Sequence, residues 1–307
     1  MNARIALRLA APLLLLAGGV LLSAQAPQLP SAPLKQFGAS ITPSFDGWYD
    51  NPDGSHNLLI GYYNRNIESE LDIPIGPNNK FDPGPADRGQ PTHFLTRRHY
   101  GMFIVTMPKE TPKTQKITWT LTANNVTTTI PMYTHTDYNL TPLKSTEESP
   151  DRTFNLPPTL RFAPSGPSWT GPGITVSKAI DRTATVGTPM PLDLLVDDDA
   201  RYSTGGNGPM ANPQSPVSVT IAKYRGPGDV KVADARPKFE AIKGGKPMEP
   251  YSGKAATSLT FSQPGEYIVE VTVNDYSGNG GGGSGCCWTN SMLKVTVTGT
   301  ASTTNGR

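Results

Sequence analysis

Asp197-Asp198-Asp199 and the distant Asp275 are the residues of this chain best suited to holding a hard cation. Ca²⁺ takes roughly six to eight oxygen ligands, many of them carboxylates, so four acidic side chains at one place would favour it. An exposed acidic loop with solvated charges is the alternative, since three consecutive Asp is not a ligand spacing. The second group is Cys286-Cys287, the only cysteines present. In an oxidising compartment two cysteines pair, and neighbours close only a small ring. Such a bridge beside Trp288 would form a stiff apolar knob, whereas reduced neighbours or bonds to another chain are the other outcomes. The third is the run Trp48, Tyr49, Tyr62, Tyr63, Asn64, Arg65, Asn66, which suits a sugar ring or a peptide. Strand alternation places one residue of each aromatic pair in a core. Trp48, Tyr62, Arg65 and Trp288 are the ligand-binding candidates.

Catalytic signatures are absent. There is no HExxH, GxSxG or CxxC, and the run 280–285 matches GxGxxG only because it is nearly all glycine and leads into a strand. Ser291 and Lys294 spell SxxK, but on a strand they point to opposite sides. His93 and His99 flank Arg97-Arg98, and Glu68, Glu70 and Asp72 open the same region, yet no distance follows from the sequence. His56 and His135 are isolated. No catalytic residue is assigned.

The elements that must position these residues are strands. The chain has 307 residues with 31 Gly and 31 Pro and only 17% charged residues, a composition that disfavours long helices and suits short strands with many turns. Period-2 alternation recurs, and no sustained 3.6-residue periodicity follows residue 26. Residues 40–49 and 55–63 form a hairpin about Asn51-Pro52-Asp53-Gly54; 100–107 is a third strand; 116–123 and 126–133 pair about Asn124-Asn125. Between them, 68–90 is a long Pro/Gly-rich loop, and such loops are often functional. Seven prolines between 141 and 173 predict a semi-rigid extended linker. Beyond it, strands are predicted at 174–178, 183–186, 190–196, 217–224, 229–232, 258–261, 266–274 and 292–298. In 267–273 the odd positions face inward, with Glu270 and Thr272 outward. Counting 174–186 as one split first strand makes 190–196 the second and 266–274 the sixth, so the acidic residues should meet at one pole.

The fold class is therefore all-β: two β-sandwich modules, 37–140 and 174–299, joined by the linker 141–173 and followed by a tail, 300–307. Residues 1–26 read as a signal peptide, with Arg4 and Arg8 before an apolar run of about 14 residues, Leu9 to Leu22, too short to span a membrane. Gln263-Pro264-Gly265-Glu266-Tyr267 running into VEVTVND resembles the penultimate strand of PKD-like and other immunoglobulin-like modules of bacterial surface proteins. This resemblance implies a fold but no activity, since that sandwich hosts many roles. The first module, with GYYNRN (61–66), LDIPIG (71–76) and GQPTHF (89–94), is similar to uncharacterised exported bacterial proteins.

Loss of the leader takes the net charge from +2 to about zero, with no basic cluster for a phosphate backbone, so nucleic acid is not an expected partner. Stable membrane insertion after cleavage is not expected either. The reading is an exported non-enzymatic binding or structural protein whose partner is a protein or a glycan, with no cofactor beyond Ca²⁺ at the acidic pole. The alternatives are a carbohydrate-binding module pair or an enzyme built on the 68–99 region.

Overall fold

The computed structural model describes residues 33–140, 155–200, 216–244, 249–275 and 287–300. The leader expected at 1–26, the first part of the expected linker and Cys286 lie outside the described residues.

The chain is all-β. Its strands are β1 Ile41–Asp50, β2 His56–Asn64, β3 Leu71–Asp72, β4 Asn79–Asp82, β5 His93–Phe94, β6 Arg97–Met107, β7 Ile117–Ala123, β8 Val126–Met132, β9 Thr159–Arg161, β10 Ser168–Thr170, β11 Ile180–Thr185, β12 Met190–Asp198, β13 Val217–Arg225, β14 Val230–Val232, β15 Glu240–Lys243, β16 Tyr251–Phe261, β17 Gly265–Asp275 and β18 Trp288–Thr298. The first sandwich stacks the sheet β1-β2-β6 on the sheet β4-β7-β8. Buried and less buried residues alternate along β7 and β8, whereas β2 and β6 carry unbroken buried runs, Leu58 to Tyr62 and Gly101 to Val105, so their sheet is covered on both faces. Trp119 lies stacked on Phe81 at 5.7 Å between ring centres and edge-on to Phe103 at 5.4 Å. Asn124 and Asn125 take positive φ, 50° and 62°, to turn β7 into β8.

The second sandwich stacks β10-β9-β12-β16-β14, with β15 also on β16, against β11-β18-β17-β13. Leu192, Leu194, Val196, Leu259 and Phe261 from one sheet meet Val219, Ile221, Tyr267, Val269, Val271 and Val273 from the other. β11 runs parallel to β18 and the remaining neighbours pair antiparallel.

Two expectations are corrected. The described part of the Pro-rich stretch is not a spacer: β9 and β10 extend the six-stranded sheet through β12, and Leu160 is fully buried. The prolines flank these short strands rather than interrupt them, and the pair lies at a sheet edge, where a missing N–H costs least. Residues 174–178 form no strand: Val176–Lys178 is a single 3-10 turn, and Ile174 packs into the core of the first sandwich.

Candidate functional site

β17 shows why the two sandwiches must be considered together. Its odd-numbered residues enter the core of the second sandwich, as alternation requires. Its even-numbered face, exposed at Glu266, is covered at Ile268 and Glu270 and half-covered at Thr272 and Asn274: Ile268, with Met292 of β18 and Tyr224 of β13, belongs to the core of the first sandwich. Trp288 adds an anchor, 2% exposed and packed on Leu59 and Ile104. Gly101, at φ 47°, makes room for it, since a Cβ there would lie 2.6 Å from the Trp288 ring.

The 68–92 segment, expected to be one long irregular loop, carries β3 and β4, the latter paired with β7, and its remaining turns complete the seam. Arg225 donates to both carboxylate oxygens of Asp87 at 2.9 and 2.8 Å and to the Gln90 carbonyl at 2.7 Å. The Tyr224 hydroxyl donates to the Gly89 carbonyl at 2.6 Å, and Thr92 N donates to the Tyr224 carbonyl at 3.1 Å. Lys223 pairs with Asp72 at 3.0 Å, and Asp72 and Glu70 each contact one ring nitrogen of His93 at 3.0 Å. Burial opposes ionisation of Asp72, but Lys223 and His93 outweigh it and hold its carboxyl below the ordinary value. His93 likewise lowers Glu70.

At this seam lies a cavity of about 280 Å³, lined by β6 from the first sandwich and by β13, β17 and β18 from the second. Glu270 is its carboxyl group, 4% exposed. It accepts a hydrogen bond at 2.9 Å from the Asn290 amide, which also donates to Thr272 at 3.1 Å. Burial pushes Glu270 up to about 8, so the acid is protonated at neutral pH. His99 also lines the cavity; burial first, and then the Arg98 charge, lowers its imidazole. Arg98 is neutralised by Asp46 and lies over the Tyr100 ring at 4.0 Å. Arg97 and Arg236 are exposed and line the cavity without a carboxylate partner among the described residues.

The residues singled out from the sequence separate into three fates. Asp198 and Asp275 do meet at one pole, where the charge on Asp275 adds to burial in raising Asp198 to about 8. Asp199 accepts from Leu156 N at 3.3 Å beside them, and Asn155 donates to Asp275. Asp197 is not part of this group. β12 continues through Asp198, so alternation turns Asp197 to the other face, where it binds Arg161 and accepts from Ser252 at 2.6 Å. Among the described residues no three His, Cys, Asp or Glu side chains are arranged to hold a metal ion. Cys287 is buried, disulfide-bonded and in contact with the Asn155 carbonyl at 3.6 Å.

The aromatic platform is corrected. Trp48 is 5% exposed and Tyr62 fully buried, both in the core of the first sandwich. Trp48 donates to the His135 carbonyl and the Tyr62 hydroxyl accepts from Leu95 N at 2.9 Å, so their polar atoms are also used internally. Trp288 is the seam anchor, and Arg65 lies over the Tyr63 ring at 4.7 Å. Sequence reasoning missed Glu270, Asn290 and Arg236 as cavity residues. Glu270, Thr272 and Asn274 alternating on β17 looked like an ordinary solvated face, and no local signal marks that face as covered.

The fold thus defines a pair of fused β-sandwiches with a polar cavity at their junction. No family model matches the chain, and no curated protein does. Among solved structures it is similar to domains 4 and 5 of the S-layer protein SbsC, at 10% identity over 85% of this chain and 98% of that one, with a TM-score of 0.19. It is also similar to a protein of unknown function from Porphyromonas gingivalis W83, at 9% identity over 84% and 100%, TM-score 0.19. Neither likeness bears on function at that score.

Proposed function

We propose that this chain is an exported, non-enzymatic structural or binding protein that works as one stiff two-sandwich unit. The observation supporting this reading is the use made of the 68–92 loop. Its Asp87, Gly89 and Gln90 are committed to Arg225 and Tyr224 of the second sandwich, and its Glu70 and Asp72 to His93 of β5, with Asp72 also paired to Lys223. A loop that could have carried acid–base chemistry is instead a clamp. Shared apolar core and directional bonds together oppose hinge motion, which otherwise is the default for linked domains. The leader-like N-terminus supports an extracytoplasmic location, and no helix among the described residues is long and apolar enough to cross a membrane.

The test is mechanical and chemical together. Spin labels on β8 and β15 should give one narrow distance distribution, and the purified chain should turn over nothing in a broad hydrolase panel. A broad or bimodal distribution, or turnover abolished by His93→Ala or His99→Ala, overturns the reading.

A further inference from the structure

We propose that the seam cavity binds a single acidic sugar unit, a hydroxylated ring bearing one carboxylate. Three features of the lining select this chemistry. Arg97 and Arg236 are cations at the cavity without a carboxylate partner among the described residues, so they favour an anion. Arg97 is held at φ 76°, a conformation non-glycine residues rarely adopt. The Asn274 Oδ1 atom is buried with no hydrogen-bond partner and lines the same cavity; an orphaned acceptor of this kind calls for a donor, such as a sugar hydroxyl. Tyr100, half-buried, gives the cavity an aromatic edge, backed by Trp288 packed on Leu59 and Ile104.

Charge balance points the same way. Asp46 neutralises Arg98, and Glu270, protonated at neutral pH, brings no negative charge to repel a carboxylate. The Glu270 and Thr272 oxygens and Asn290 form a polar floor already linked by hydrogen bonds. A volume of about 280 Å³ accommodates one ring rather than a chain of them. A bare sulfate would satisfy the arginines, but it has no proton to donate to Asn274. The opposite class of hollow exists on the second sandwich, about 750 Å³ and lined by Asp193, Lys238, Glu240 and Lys254. There Glu240 pairs with Lys254 at 3.4 Å, which leaves less unmatched charge to select a ligand.

The proposal is independent of the stiff-unit reading, because a hinge could still carry the site and a rigid seam could still be empty of function. The purified chain is titrated calorimetrically at pH 7 with glucuronate, with glucose, with acetate and with sulfate, and with an oligosaccharide ending in glucuronate. Glucuronate should bind with Kd of about 1 mM or tighter, and glucose, acetate and sulfate at least tenfold more weakly. An oligosaccharide that binds as tightly as free glucuronate marks a chain end as the source; one that does not marks the free sugar acid. Arg97→Gly with Arg236→Ala should lower glucuronate affinity at least tenfold while leaving the thermal midpoint in place, since both side chains are exposed. Glucuronate binding that is absent, that is matched by glucose, acetate or sulfate, or that survives the double variant unchanged, overturns the proposal.

Discussion

Replacing Glu270 by Gln should stabilise the protein, and by an amount that depends on pH. The side chain is 4% exposed, and its carboxyl titrates at about 8 in the fold against an ordinary 4.5. The folded state therefore keeps the proton to a higher pH than the unfolded chain does. The stability that Glu270 contributes is complete below about pH 4 and is lost as pH rises towards 8. At about 1.4 kcal/mol per pH unit, the interval from 4.5 to 7 costs the wild type on the order of 3 kcal/mol at neutral pH. Above pH 8 the whole interval counts, on the order of 5 kcal/mol. Gln has the same shape, still accepts from Asn290, and has no proton to lose. Urea unfolding of wild type and Glu270→Gln, followed by tryptophan fluorescence at pH 4, 7 and 9, measures the difference directly. The two proteins should agree at pH 4 and diverge steadily above it, with a thermal midpoint about 5–10 °C higher for the variant at pH 7. Parallel stability curves from pH 4 to 9 would show that Glu270 is hydrated in the fold, and the covered-face argument would fail.

Arg225→Ala should cost about 2–3 kcal/mol, the worth of charged hydrogen bonds to Asp87 and Gln90 that are lost together; urea midpoints read it, and a loss below about 0.5 kcal/mol would mean that the loop is not a clamp. Gly101→Ala should destabilise strongly, because a Cβ there meets both Trp288 and Leu59 at 3.0 Å or less and φ is 47°; an unchanged thermal midpoint would place Trp288 elsewhere. Asp198→Asn should raise stability at pH 8 and leave it unchanged near pH 4, because burial and the Asp275 charge hold the Asp198 carboxyl at about 8; a variant less stable than wild type at pH 8 in chelator-treated buffer would refute this.

Much of the strand framework was legible from alternation and turn residues. The hairpins about 51–54 and 124–125 follow from Asn, Asp, Pro and Gly at positions that need them, and β17 follows from alternating Tyr267, Val269, Val271 and Val273. The meeting of Asp198 with Asp275 was legible too, since strand order places two strand ends at one pole. β9, β10 and β15 were not. They are three or four residues long, too short for a periodic signal, and they exist because a neighbouring strand offers an open edge.

What the sequence by itself determined is which residues share a face of each strand. Tertiary structure alone decided what lies over that face. Glu270 and Thr272 alternate with core residues whether the other side meets water or protein, so nothing local distinguishes a solvated acid from one buried at a seam. The three consecutive aspartates show the same division at shorter range: β12 runs two residues further than its apolar pattern, and the pleat then sends Asp197 to one side and Asp198 to the other. Pairing edges and docked faces are set by contacts between residues far apart in the chain, which a pattern of period two does not record.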